Sequence, residues 1–532
     1  MAKVFCVRDA VYGFLREAGI RHVFGNPGST ELPFFRDFPS DFSYVLGLHE
    51  SIVVGMADGH AQASRRPSFV NLHSAAGVGN AMGAIFTAFK NHTPMVITAG
   101  QQARSMLPYD PFLYSERATE LPRPYVKWAA EPARAEDVPR AIARAYHVAM
   151  MPPRGPVLVS VPADDWDRPA EPVPLRAVSQ AVRPDAGLLG RMAEGMGACE
   201  RPAIVVGDAV DRAGAWEAVL DLAGRQRARV YAAPMSGRCS FPEDHPLFGG
   251  TLPAMRDALR RQLAGHDAVL VLGAPAFTYH VEGEGPFVEP GTALFLIVDE
   301  PDTAAWAPVG LAAVGSLRES VQELAALSPH SARALPPPRA PVPAAAPPHA
   351  GERMSIAYVL QTLSEVRRRD DVILEEAASA RPVLQRYLPI YESHGYYACS
   401  SGGLGFGMAA AVGLAMGNRD RHVIGVVGDG SSMYAFQALW TAAQLRLPLT
   451  LIILRNRRYA ALEHFAPVFG FAEGERVPGT ALPGLDFVKL AQAMDCDARR
   501  IGGETDLRAA LDAAIGSARR AERPLVLEIE VA

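Results

Sequence analysis

Nine short apolar runs rich in β-branched residues punctuate the chain, at 68–72, 95–98, 157–161, 203–206, 268–272, 294–298, 423–427, 449–454 and 525–529, and the segments between them carry helical spacing. A strand buried on both faces reads as a continuous apolar run, and such strands alternating with helices of roughly 10–15 residues build parallel sheets. The expected class is therefore α/β, with doubly wound domains and mainly parallel sheets. A chain of 532 residues is too long for one core, and about 100–200 residues per domain implies three. The sharpest break is the stretch 328–350, where proline pairs and triplets fall among alanines. Proline lacks the amide proton and fixes its own φ, so this is a semi-rigid linker. A softer break follows Val161, where Pro162-Ala163-Asp164-Asp165 leads into a proline-containing stretch ending near Pro184. The expected domains are 1–182, 183–340 and 350–532.

Charged residues make up 20% of the chain and the net charge is −5, with Lys and Arg scattered, which gives no electrostatic footprint for nucleic acid. The five cysteines (Cys6, Cys199, Cys239, Cys399, Cys496) lie far apart, without the close pairing of zinc or redox sites. The first residues carry no apolar stretch with a cleavage site, and strings such as 447–454 are too short to span a bilayer. A cytoplasmic protein without membrane partners is expected.

The strongest local signal is the run 423–427 entering Gly428-Asp429-Gly430-Ser431-Ser432 and then a helical stretch at 434–444. Glycines let a backbone approach a phosphate, and the following helix offers its N-terminal amides. A carboxylate beside a diphosphate needs a cation between them, so Asp429 points to Mg²⁺ or a similar hard ion. The next run ends at Arg455-Asn456-Arg457-Arg458, which brings an amide oxygen to the same sheet edge. By themselves these loops read equally well as a tight turn and a turn residue. Glu50 in isolation reads as a carboxylate complementing a helix N-terminus, and Ser29 as a turn residue after Pro27-Gly28.

The combination resembles a family. Val-Phe-Gly-Asn-Pro-Gly-Ser at 23–29, Ala-Asp-Gly-His-Ala-Gln-Ala-Ser at 57–64, Asn-Leu-His-Ser-Ala-Ala-Gly at 71–77, Gly402-Gly403-Leu404-Gly405-Phe406 and Ala-Leu-Trp-Thr-Ala-Ala-Gln at 438–444 are similar to the benzoylformate decarboxylases. These belong to the thiamin-diphosphate-dependent 2-keto acid decarboxylases, and the likeness covers essentially the whole chain. It implies pyrimidine-binding, middle and diphosphate-binding domains. It also implies a carboxy-lyase that uses thiamin diphosphate and Mg²⁺, placed in mandelate catabolism and assembled as a homotetramer, at least a dimer, with sites between subunits. Glu50 would bond the aminopyrimidine, Gly402 would offer its carbonyl to the 4'-amino group, and Leu404 would force the bent cofactor conformation. Gly428, Gly430, Ser379, Ser431 and Ser432 would meet the diphosphate, and Asp429, Asn456 and the carbonyl of Arg458 would bind the metal. A second, peripheral metal contact would fall at Leu121-Pro122-Arg123.

Decarboxylation of a 2-keto acid needs an electron sink, which such a cofactor supplies, and then proton donors near neutrality, the range of histidine. The resemblance nominates His73 and His280 for proton transfer and Ser29 for the substrate carboxylate. It also assigns an apolar pocket for an aryl group to Phe112, Leu113, Ala398, Ala461, Leu462 and Phe465. Three positions depart from the family: Arg455 replaces an Asn, Ala378 a hydroxyl residue and Ala398 a phenylalanine. A carboligase of the acetolactate synthase type would use the same cofactor. A flavin oxidoreductase on this scaffold would need a dinucleotide-binding middle domain, where no Gly-x-Gly-x-x-Gly occurs.

Overall fold

Continuous apolar strands demand cover on both faces, and all nine runs are strands in parallel sheets sandwiched between helices. The computed structural model describes residues 5–308, 310–349, 351–502, 506–521 and 523–532. Residues 1–4, in the stretch expected to lack a secretory signal, and Ala350, at the end of the proline-rich linker, lie outside the described residues. Three domains each carry a six-stranded parallel sheet. In the first the strand order is Ser43–Leu46, His22–Gly25, Ser68–Leu72, Met95–Gln101, Pro156–Pro162, Ala129–Ala130. The third repeats that topology with Tyr396–Ala398, Val372–Glu376, Val423–Gly428, Leu449–Arg455, Leu525–Glu530, Asp497–Ile501.

The middle sheet is wound differently, in the order Leu311–Val314, Ala293–Val298, Ala268–Leu272, Pro202–Val206, Arg229–Ala232, Phe248–Thr251. The order of winding reverses between the parallel neighbours Pro202–Val206 and Ala268–Leu272, as in dinucleotide-binding sheets. The loops at that switch point close on each other: the Ala209 amide donates to the Gly273 carbonyl at 3.1 Å. Asp208, at the start of the helix after Pro202–Val206, accepts from the Gly237 amide at 2.9 Å and from the Ser400 hydroxyl of the third domain at 3.1 Å. The linker runs irregularly along this domain. Arg333 anchors it by donating to the carbonyls of Gly197, Cys199 and Gln226, at the ends of two helices. No helix among the described residues is long and apolar enough to cross a membrane.

The first and third domains meet through two helices, Glu50–Ser64 and Phe406–Gly417, which run parallel. The second reads Phe-Gly-Met-Ala-Ala-Ala-Val-Gly-Leu-Ala-Met-Gly and is buried from Phe406 to Met416. A helix apolar all round belongs in a core. Its small residues let the backbones touch: a Cβ on Gly413 would stand 1.9 Å from the Met56 carbonyl oxygen, and one on Gly59 2.2 Å from that of Ala410. Only glycine fits at either place.

Gly413→Val must therefore push the helices apart. Overpacking costs about 1–3 kcal/mol, so calorimetry should show a melting temperature lower by roughly 2–10 °C. Gly224→Ala, at an exposed helical glycine with open space around it, should leave the melting temperature unchanged or slightly raised.

Candidate active site

In the third domain the strand Val423–Gly428 feeds straight into the one-turn helix Asp429–Ser432, and the chain turns again before the helix Ala438–Gln444. The helical stretch expected at 434–444 is helical only from Ala438, and a separate single turn of helix precedes it, starting at Asp429 itself. Ser432 stabilises this turn, its hydroxyl donating to the Asp429 carbonyl at 2.8 Å. Asp429 is 3% exposed and accepts from the amides of Gly430 (2.8 Å) and Arg457 (2.6 Å). Burial pushes its carboxyl above the ordinary value, against the pull of the amides of Arg457, Gly430 and Asn456. The carboxyl is oriented by amides and has no ion pair among the described residues, so no side-chain cation competes for the hard ion it would bind. Asn456 is on the neighbouring strand end, and the Arg458 side chain turns to Glu463 at 3.3 Å. These donors suit a metal shared with a diphosphate.

The flanking arginines, unexplained by sequence, are held by acids. Arg455 pairs with Glu528 at 2.8 Å and Glu530 at 3.1 Å, and Arg457 with Glu530 at 3.0 Å. Glu528 is fully buried, so Arg455 compensates an interior charge.

The first domain presents a second cluster. Glu50 opens the helix Glu50–Ser64, is 8% exposed and accepts from the Asn80 amide at 3.1 Å. His73 caps the helix Ser74–Lys90, and Gly77 lies over both it and Glu50. Sequence reasoning missed Glu31. Its fully buried carboxylate meets His73 Nδ1 at 2.9 Å, the Gly28 amide at 2.8 Å and the Thr30 hydroxyl at 2.6 Å. With no acceptor-only role left for that nitrogen, we assign its proton to Nδ1, which leaves Nε2 for a reactant. A Cβ on Gly100 would fall 1.8 Å from the Glu31 carboxylate, so that strand needs glycine there. No local spacing joins Glu31 to His73. They meet because the strands His22–Gly25 and Ser68–Leu72 are parallel neighbours and their carboxyl ends coincide. Ser29, exposed, begins the short turn that carries Glu31.

A cavity of about 600 Å³ opens between the middle and third domains. His280, Gly402, Leu404, Ala461 and Phe465 all line it, and the His280 and Phe465 rings meet edge-on at 4.7 Å. Ala461 and Phe465 share a face of the helix Ala460–Phe465, four residues apart, whereas Leu462 points out and is 53% exposed. Ala398 is in the apolar core at the end of the strand Tyr396–Ala398, and Cys399 is the residue that reaches the cavity. Ala378 also lines it, next to Ser379. Glu376 lines it too, without any sequence signal beyond a strand that ends in two glutamates.

Ser29, Glu50, His73, Phe112 and Leu113 do not line this cavity within one chain. Phe112 is 86% exposed and Leu113 accepts from the Ser74 hydroxyl, both on a loop of the first domain. Leu121 and Arg123 are exposed on a loop of the first domain, with Pro122 buried between them.

The chain matches three domain families: "Thiamine pyrophosphate enzyme, N-terminal TPP binding domain" over 6–119, "central domain" over 189–324 and "C-terminal TPP binding domain" over 377–529. It is 43% identical to a benzoylformate decarboxylase of Pseudomonas aeruginosa, over 98% of both chains. The structure of a benzoylformate decarboxylase from Polynucleobacter necessarius superposes with a TM-score of 0.95 at 37% identity, over 99% of this chain and 98% of that one. A 4-hydroxybenzoylformate decarboxylase of Rhodococcus jostii RHA1 gives 0.94 at 38% identity, over 99% of both. An acetolactate synthase large subunit of Escherichia coli is 26% identical, over 96% of this chain and 92% of its own. With its three domains, its two strand-end clusters and this similarity along its full length, the chain belongs to the thiamin-diphosphate-dependent enzymes, in the family of the benzoylformate decarboxylases.

Proposed function

We propose that the chain catalyses the non-oxidative decarboxylation of an aryl 2-keto acid, benzoylformate or a close analogue, to the aldehyde and carbon dioxide. The observation that carries this reading is the cavity in which His280 and Phe465 meet beside Gly402 and Leu404. About 600 Å³ is the size of a small-molecule site. Thiamin diphosphate supplies the electron sink for the bond to carbon dioxide. The chain's residues do the rest. Glu50 holds the cofactor's pyrimidine, and Gly402 and Leu404 fix its bend. Ser379, Gly428, Gly430, Ser431 and Ser432 receive the diphosphate, and Asp429, Asn456 and the Arg458 carbonyl hold Mg²⁺. His73, oriented by Glu31, and His280 move protons, Ser29 takes the substrate carboxylate, and Phe465 and Ala461 cover the ring.

The division of these residues between the cavity and the first-domain cluster supports a homo-oligomer, at least a dimer and by resemblance a tetramer. In it, Glu50, His73, Phe112 and Leu113 of one copy complete the cavity of another. The five cysteines, all unpaired, fit a reducing cytoplasm, and a place in mandelate catabolism follows the resemblance. Carboligation of the acetolactate synthase type is less well supported, at 26% identity against 43%. A flavin in the middle domain is less well supported, since no Gly-x-Gly-x-x-Gly occurs there.

Purified protein with thiamin diphosphate and Mg²⁺ should turn over benzoylformate with a kcat/KM about 50- to 100-fold above that for pyruvate. Roughly 100 Å² of extra apolar burial is worth about 2.5 kcal/mol. Steady-state kinetics on the two acids decides it, and a preference for pyruvate would overturn the aryl assignment.

Glu31→Gln removes the charge-assisted bond to His73, worth about 1.5–3 kcal/mol. We expect kcat to fall roughly tenfold to hundredfold with cofactor affinity unchanged. Parallel losses in both would mean that Glu31 only supports the fold.

Glu50→Ala and Asp429→Ala should each be inactive alone. Mixed and allowed to exchange subunits, they should recover about a quarter of wild-type activity, since half of the dimers carry one intact site of two. No recovery despite demonstrated exchange would contradict a site shared between copies.

A further inference from the structure

The strand Val372–Glu376 ends in two consecutive glutamates, and the alternation of a strand sends them to opposite faces. Glu375, fully buried, is compensated: it accepts from Arg381 at 2.6 Å, from the Tyr396 hydroxyl at 3.1 Å and from the Ala377 amide at 2.6 Å. Glu376, 4% exposed, faces the cavity beside Gly402, Gly403 and Leu404. Its Oε1 accepts from the Phe406 amide at 3.0 Å, at the start of the helix Phe406–Gly417. Its Oε2 is buried and has no hydrogen-bond partner among the described residues. A Cβ on Gly407 would stand 2.7 Å from the Glu376 Cβ and 3.1 Å from Oε2, so the helix backbone closes over one side of the carboxyl of this cavity-lining residue.

The charge state follows from these surroundings. Arg381 is engaged by Glu375, and no ion pair to Glu376 exists among the described residues. Burial, reinforced by the negative Glu375 and opposed by the amides of Gly407, Phe406 and Gly405, pushes the Glu376 carboxyl up to about 8. At neutral pH the group therefore keeps its proton. One oxygen already accepts from a helix amide, so the proton belongs on the other, and Oε2–H becomes a donor. A buried donor without a partner is costly and uncommon in folded proteins, which makes it a mark of something that binds.

We propose that Glu376 is a cofactor-binding residue that works as a neutral acid, its Oε2–H donating a hydrogen bond to thiamin diphosphate in the cavity. This rests on the cofactor reading above, because Glu376 shares its wall with Ala378, Gly402 and Leu404. It is a different role from that of Glu50, which belongs to the first-domain cluster. It also explains why the third domain keeps two adjacent acids: Glu375 is charged and ties Arg381 and Tyr396 together, and Glu376 is neutral and serves the ligand.

The test is calorimetric titration of thiamin diphosphate, with Mg²⁺, into full-length apoprotein of the wild type, Glu376→Gln and Glu376→Met. Each titration is run at pH 7 in two buffers of different ionisation enthalpy so that protons are counted. Gln can still accept from the Phe406 amide and donate from the other arm, and Met has the shape without the donor. The expected result is a Kd for Glu376→Gln within about threefold of wild type, a Kd for Glu376→Met weaker by tenfold or more, and equal proton counts for wild type and Glu376→Gln. Glu376→Met binding as tightly as wild type would overturn the proposal. So would Glu376→Gln as weak as Glu376→Met, or one extra proton released by wild type, since both mean a carboxylate. If Glu376→Met does not fold, the affinity and proton count of Glu376→Gln against wild type still decide. An absence of saturable binding to wild type would overturn the cofactor reading itself, whereas tight wild-type binding with indifferent variants removes Glu376 alone.

Discussion

The contact between the helices Glu50–Ser64 and Phe406–Gly417 is the constraint on which the site depends. Their backbones touch at Gly59 and Gly413, closer than any side chain allows. Such an approach leaves little freedom to slide, because each glycine accepts the partner's carbonyl at one register only. The first helix begins at Glu50, and the second begins immediately after Gly402-Gly403-Leu404. Fixing the crossing therefore fixes the two backbone ends from which both halves of the site are built. Polar contacts around it lock the same arrangement: Thr87 with Ser401 at 2.8 Å, Asn91 with the Ser400 amide at 3.0 Å, and Thr441 with the Leu46 carbonyl at 2.8 Å.

Buried acids show how the protein divides structure from function. Several with a structural role are matched by arginines, Glu375 by Arg381, Glu528 by Arg455 and Arg500, and Asp211 by Arg238 at 2.8 Å, while Asp58 is held by Gln62, Asn91 and Thr93. Removing one partner from such a pair strands a charge in the interior, which is why both members are kept. The acids at the cavity and the strand ends lean instead on backbone amides, as Asp429 does on Gly430 and Arg457 and Glu376 on Phe406. Amides orient a carboxyl without neutralising it. The remaining charge or proton is then free for a ligand.

Much of the architecture was legible in the chain. Strands buried on both faces cannot hide as continuous apolar runs, and the nine that read that way are all strands. The others that form escaped for physical reasons. Edge strands such as Ala129–Ala130 and Asp497–Ile501 are short or polar because one side faces solvent. Val372–Glu376 looks charged because it ends in two glutamates, of which Glu375 is compensated by Arg381 from the following helix and Glu376 is not ion-paired among the described residues.

Taken alone, the amino-acid sequence determined the α/β class, the three domains, the turn at Gly428-Asp429-Gly430 and, through its motifs, the membership of a family, because each is written in local runs of residues. The tertiary structure alone decided which side chains meet. It joined Glu31 to His73 across neighbouring strand ends, turned Cys399 and not Ala398 toward the cavity, left Leu462 outside while Ala461 and Phe465 face in, and matched Arg455 and Arg457 with acids from the strand Leu525–Glu530. It also left one oxygen of Glu376 without a partner. The reason is the same in each case: sheet order and helix register set these contacts over tens to hundreds of residues, and no local pattern records them.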